Sequence, residues 1–277
     1  MAKNRDGMEQ SNSISKGKKL IVIGFVAIAL LFIIYARYQD SELLTPSAIE
    51  VIQRIAYLFY VALIASFGAI ALGMYRYHKG KIEQNEKDLS TIIALATWNK
   101  KSRKIFVTTF VGYGIFFALV SGTLVYQPEV TFSIHYGAEI PSGFLAPCCG
   151  ELGYMPKVII YLTEHVGLQI IPINLVLQII VSYLVALNTS IAVSAYTFSK
   201  QGSGMSGIGA VVGAFIACPT CAGTFFSLFI GTASGIALSL ALAQLQTLLI
   251  AVSIPILLAT PYIMAKKLRN PDGSCKI

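Results

Sequence analysis

Charge is scarce in this chain. Asp, Glu, Lys and Arg make up 12% of its 277 residues, about half the share of a typical soluble domain. With 55% hydrophobic residues and a mean hydropathy of +0.70, it lacks the polar surface of a soluble fold. Its apolar residues gather in runs long enough to cross a bilayer. No Asp, Glu, Lys, Arg or His lies well inside any of these runs. Ionisable groups at that depth mark ion pathways and proton relays, so their absence argues against a proton pump or a transporter with a charged site. No repeat of solenoid period occurs, and no segment reads as a fused soluble domain.

What is present is a set of six candidate spans, roughly 20–37, 55–76, 105–126, 173–196, 207–230 and 235–264. The predicted fold is therefore all-α: a polytopic integral membrane bundle of six transmembrane helices. A basic N-terminus covers 1–19, the membrane domain 20–264, and a tail 265–277. The first run is longer than a signal-peptide core, and no small-residue cleavage motif clearly follows it, so it reads as a retained anchor. The net charge of +8 does not imply nucleic acid, because the cations are distributed by topology. Eighteen Lys and Arg fall in the N-terminus, the second connection counted from Arg76 to Lys104, the fourth connection and the tail, against three (Arg37, Arg54, Lys157) on the opposite side. That split predicts both termini in the cytoplasm, with the plasma membrane as the expected site.

The inner loop 77–104 ends in "LSTIIALATWNKKSRK". Leu89, Ile92, Ile93 and Ala96 recur at helical spacing there, which suggests a short helix on the inner face with Trp98 at headgroup level; the alternative is a ramp into the third span. The outer loop 127–172 is long, weakly charged and rich in aromatics, Gly and Pro. It is too apolar to be freely solvated and is expected to pack on the outer mouth of the bundle. Within it, Lys157 to Gln169 reads as a helix of about three turns with Tyr161 and His165 on one face.

Gly209, Gly213, Gly223 and Gly231 give the fifth span the small-residue pattern of close membrane packing, so it is expected to be central. The interior amides and hydroxyls, Gln178, Ser182, Asn188, Thr189, Gln244 and Gln246, are expected to join helices by hydrogen bonds.

The five cysteines hold the chemical interest. Cys275 lies in the tail and is expected to be reduced and inert. Cys218 and Cys221 form the sequence "ACPTCAG" within the fifth span. Pro219 should kink or break the helix there. If a half-helix starts at Pro219, Cys218 caps it, and the positive helix end favours a thiolate. Cys221 comes round to the same side, so the pair suits redox exchange or two-thiolate ligation. Cys148 and Cys149 lie in the outer loop. Adjacent Cα atoms are 3.8 Å apart, less than a relaxed disulfide requires, so a bond between them would be strained and easily reduced. Glu164, His165 and His135 share that side, and two thiolates with an imidazole make a plausible soft-metal set.

An intramembrane C-x-x-C with an outer-loop pair resembles the layout of the disulfide-bond-forming quinone reductases and vitamin K epoxide reductases. The vicinal and C-P-x-C cysteines are also similar to those of small mercury-uptake proteins. The likeness covers these cysteines alone. The first expectation is thus a thiol–disulfide relay in which Cys218 and Cys221 exchange with Cys148 and Cys149, passing electrons to a quinone or an external thiol protein. The second is binding or transport of a soft metal such as Cu(I) through Cys148, Cys149, Cys218, Cys221 and His165. The third is a non-catalytic scaffold or accessory subunit of a membrane complex.

Overall fold

The computed structural model describes residues 2–38, 46–84, 88–147, 153–199, 254–255 and 257–263. The chain folds as two compact units, one comprising Met1–Gln84 with Phe116–Gln178 and the other Asn85–Ile115 with Ile179–Ile277.

The first unit is built on two long helices, α1 (Ala2–Ala36) and α2 (Pro46–Gln84). They run antiparallel: Ile14 meets Gly80, Gly17 meets Gly73, Gly24 meets Ile70, and Phe32 meets Phe59. The buried positions of α2 are Ile52, Ala56, Phe59, Leu63, Ser66, Ile70, Gly73 and Gly80. Their three-and-four spacing is that of a coiled-coil seam. Glycine is required at the crossing because a Cβ on Gly73 would lie 2.8 Å from the Gly17 carbonyl oxygen. On the opposite faces Val22, Phe25, Leu30 and Ile33 of α1 and Leu58, Val61, Ile64 and Leu72 of α2 are exposed. Water would not tolerate two such apolar faces, whereas hydrocarbon does.

The same unit carries a four-stranded antiparallel sheet, β1 (Leu124–Tyr126), β2 (Ser142–Ala146), β3 (Lys157–Tyr161) and β4 (Val166–Ile170), in the order β1-β4-β3-β2. Phe144 pairs with Ile159, Tyr161 with Gly167, and Leu124 with Leu168. A single-turn helix, α5 (Phe132–Tyr136), lays the buried Phe132 over Gly167, with its ring 5.1 Å from that of Tyr161.

The sheet corrects the all-α expectation. In particular, the helix anticipated from Lys157 to Gln169 is the β3–β4 hairpin. Val158, Ile159 and Ile160 are a β-branched run that favours extended backbone. The turn is closed by Thr163, whose hydroxyl oxygen accepts the Val166 N–H at 3.0 Å. Tyr161 and His165 therefore do not share a helical face.

In the second unit α3 (Leu89–Trp98) is the short helix expected before the basic cluster, separated by Asn99 from α4 (Lys100–Val120). The third span was expected to reach 126, but α4 ends at Val120 and β1 follows. Helix α6 (Pro172–Ser199) matches the fourth span. From Ile179 onward α6 packs along α4: the Ser102 and Ser194 hydroxyls are 3.1 Å apart, the Phe106 and Tyr183 rings 5.5 Å apart, and Gly114 faces the Ser182 hydroxyl. A core of Val181, Leu184, Val185 and Leu257 closes the unit.

Among the described residues three helical stretches are long and apolar enough to cross a membrane, Ser13–Ala36, Ile49–Glu83 and Pro172–Ser194. The chain is a mostly helical protein compatible with a membrane location. The fifth expected span and most of the sixth lie outside the described residues.

Candidate functional site

Cys148 and Cys149 fall in the connection between β2 and β3. The pair itself lies outside the described residues, as do Cys218 and Cys221, but both flanks of the connection are described. On the leading side Pro147 follows β2, and its carbonyl oxygen accepts a hydrogen bond from the Tyr35 hydroxyl at the end of α1. On the trailing side Pro156 precedes β3. The Tyr60 hydroxyl of α2 lies 2.7 Å from the Pro156 carbonyl oxygen and 3.1 Å from that of Ile170. The connection also touches α6, whose Ile173 N–H donates to the Gly153 carbonyl at 3.0 Å. Gly153 has φ +86, and a Cβ there would lie 3.1 Å from the Ile173 side chain.

The local reason for this arrangement is aromatic packing. Tyr35, 3% exposed, sits against Phe59 with ring centroids 5.1 Å apart, and Phe59 meets Tyr60 edge to face at 5.8 Å. The cluster leaves two phenol hydroxyls at one end of the α1–α2 hairpin. Each donates to a proline carbonyl that flanks the cysteine connection. Buried polar groups need such partners, so the two tyrosines act as clamps on the segment that holds the vicinal cysteines. Neither tyrosine was singled out from the sequence. The available signal was a tyrosine near the end of the first apolar run and another near the start of the second, with two prolines bracketing the cysteine connection.

His165 lies in the turn between β3 and β4. Its Nδ1 is 3.0 Å from the Val130 carbonyl oxygen and 3.2 Å from that of Gln127. Both neighbours only accept, so Nδ1 carries a proton and donates to them. Glu164 is engaged otherwise: its carboxylate accepts from the Ser133 hydroxyl at 2.7 Å and the Ser133 N–H at 3.2 Å. The His135 ring packs edge-on against Tyr136 at 4.7 Å. The cysteine connection joins the sheet where Ala146 pairs with Lys157, whereas His165 follows the other end of β3. Four residue steps of strand separate those ends, about 13 Å. Among the described residues no three His, Cys, Asp or Glu side chains gather as a metal-binding group.

In the second unit the buried amide of Asn188 donates to the carbonyls of Leu184 at 2.8 Å and Leu257 at 3.0 Å. It joins helical segments, the role expected for the interior amides. Ser182, also singled out, is 1% exposed, and among the described residues its hydroxyl oxygen has no hydrogen-bond partner.

No family profile, no curated protein and no solved structure matches the chain.

Proposed function

We propose that this is a multi-pass membrane protein that relays thiol–disulfide exchange between a vicinal pair, Cys148–Cys149, and an intramembrane pair, Cys218–Cys221, with both termini cytoplasmic and the sheet on the opposite side. The observation that supports the reading is the double clamp. Hydroxyls from two membrane-compatible helices hold Pro147 and Pro156, the described residues on either side of the connection that carries Cys148 and Cys149 in the sequence.

In the proposed relay a thiolate of the vicinal pair attacks a sulfur of the Cys218–Cys221 disulfide. A mixed disulfide forms and one intramembrane thiolate leaves. The second vicinal thiol then attacks the mixed disulfide, releasing the other. Two electrons and two protons have moved inward. The vicinal disulfide, strained by its geometry, is a strong oxidant for an external dithiol protein. The intramembrane dithiol returns to the disulfide by giving two electrons and two protons to a lipid-soluble quinone, which becomes the quinol.

The soft-metal alternative uses the same sulfurs with His165, but the position of His165 beyond the far end of β3 favours the redox reading.

The test is the redox state of each thiol in membranes, read by mass-tagged maleimide in a Cys275→Ser background. The relay predicts a mobility difference between oxidised and reduced membranes, and a mixed disulfide or a loss of that difference in Cys218→Ser. Identical alkylation of all four thiols under both conditions rules the relay out. Stoichiometric metal in the reduced, purified protein would favour the alternative.

A further inference from the structure

The first four turns of α4 present two different sides. One side is internal: Ser102, Phe106 and Gly114 face α6, and Tyr113 packs on the Val181–Leu257 core. The other side is exposed, and its chemistry changes along the axis. Lys100, Arg103 and Lys104 occupy its first turn, followed by Val107, Val111 and Ile115, each more than half exposed. These positions are three and four apart, so they form one continuous stripe. The cations have no carboxylate nearby in sequence, since none occurs from Leu89 to Pro128. Among the described residues the ion pairs are Arg54–Glu50 and Lys79–Glu83, neither of which involves this helix. At the elbow before α4 the exposed Trp98 ring lies under the Arg103 guanidinium, 5.8 Å from its centroid.

A stripe with three cations at one end, none ion-paired among the described residues, and branched aliphatic side chains beyond matches one class of molecule. An anionic phospholipid carries a phosphate at its head and hydrocarbon directly behind it. The apolar part, Val107 to Ile115, covers about 12 Å at the helical rise, within the roughly 15 Å of one leaflet's hydrocarbon. Tryptophan at the junction suits the headgroup level. A free phosphate would use the cations and leave the aliphatic stripe unexplained. We propose that this face of α4 binds an anionic phospholipid, with the phosphate at Lys100, Arg103 and Lys104 and an acyl chain along Val107, Val111 and Ile115.

The chain contains a single tryptophan, Trp98, so its emission reports on this site alone. The full-length protein is reconstituted in mixed phosphatidylcholine and phosphatidylglycerol vesicles, with bromines near the glycerol on the acyl chains of one lipid or the other. Brominated phosphatidylglycerol is expected to quench Trp98 about threefold more per mole fraction than brominated phosphatidylcholine, given the attraction of each cation to anionic lipid and its partial screening by salt. The variant K100Q/R103Q/K104Q brings the ratio to unity. The variant K16Q/K18Q/K19Q, which removes as many cations from α1, leaves the ratio unchanged, as does an excess of inorganic phosphate. Equal quenching in the unaltered protein overturns the proposal. So does a preference that survives the α4 substitutions, one lost equally in the α1 variant, or one abolished by phosphate.

Discussion

Asn188 is fully buried, and its amide bridges segments 69 positions apart. Its Nδ2 has two carbonyl partners, while among the described residues its Oδ1 has none. Interhelical hydrogen bonds in membranes contribute roughly 0.6 kcal/mol on average and about 1.7 at most, and packing adds to this. Asn188→Ala is therefore expected to lower the unfolding free energy in detergent by about 1–3 kcal/mol. Asn188→Leu should cost less, because it refills the volume and removes the orphaned oxygen. Denaturant titration followed by circular dichroism checks both, and an Ala variant as stable as the parent would remove Asn188 from the framework. The role of Asn188 was legible because an amide in an apolar run has few other uses. The Ser102–Ser190–Ser194 cluster was not singled out, since hydroxyls in a membrane helix can bond to their own preceding turn, as Ser194 does to the Ser190 carbonyl at 2.9 Å. Only the fold reveals that Ser102 lies opposite.

Among the elements, the α1–α2 hairpin rests on backbone contact. Gly17 and Gly73 touch so closely that any side chain must push the helices apart. A methyl group added at Gly68, on the same helix as Gly73, would meet nothing within 4 Å. Gly73→Leu should destabilise the protein by about 1–3 kcal/mol or more through overpacking. Gly68→Ala should be neutral or slightly stabilising, since Ala forms helix better than Gly. Equal effects of the two substitutions on the unfolding midpoint would show that the crossing does not depend on close approach. The positions of the first two apolar runs were legible from hydropathy, but not the helix lengths: α1 begins at Ala2, inside the expected basic N-terminus, and α2 runs from Pro46 to Gln84 where a span of 55–76 was expected. The seam lay in the sequence as a seven-residue spacing, Gly17 to Gly24 and Ser66 to Gly73 to Gly80. The sheet was not legible. Its apolar strands come from a loop that reads as amphipathic at either period, and Tyr161 and His165 satisfy a four-residue spacing by coincidence. The β-branched run Val158–Ile160 and the bracketing Pro156 and Pro172 were the overlooked signals, because four short strands pair only across connections that the sequence does not rank.

At the scale of the whole molecule the unmatched quantity is charge. Lys16, Lys18, Lys19, Arg76, Lys79 and Lys81 gather at one end of the hairpin, while the sheet is held at the other end by Tyr35 and Tyr60. Lys19 and Tyr35 are 16 positions apart on α1, about 24 Å along the axis, close to the roughly 30 Å of hydrocarbon. In the proposed topology the positive-inside rule puts the lysine end in the cytoplasm and the sheet on the other side, where an oxidising compartment would let disulfides persist. This assignment also decides whether the vicinal cysteines can meet an external dithiol. It is checked with single cysteines placed in a cysteine-free background. Ile134→Cys lies on α5 where the side chain is 85% exposed, and it should react with a membrane-impermeant maleimide in intact cells. Lys19→Cys, also exposed, should react only after permeabilisation. The reverse pattern would invert the protein and place the vicinal pair in a reducing compartment, where a relay that oxidises an external partner has no driving force. Reaction of both before permeabilisation would mean that the hairpin does not cross the bilayer at all, and the exposed apolar faces of α1 and α2 would then have to be covered by protein instead of lipid.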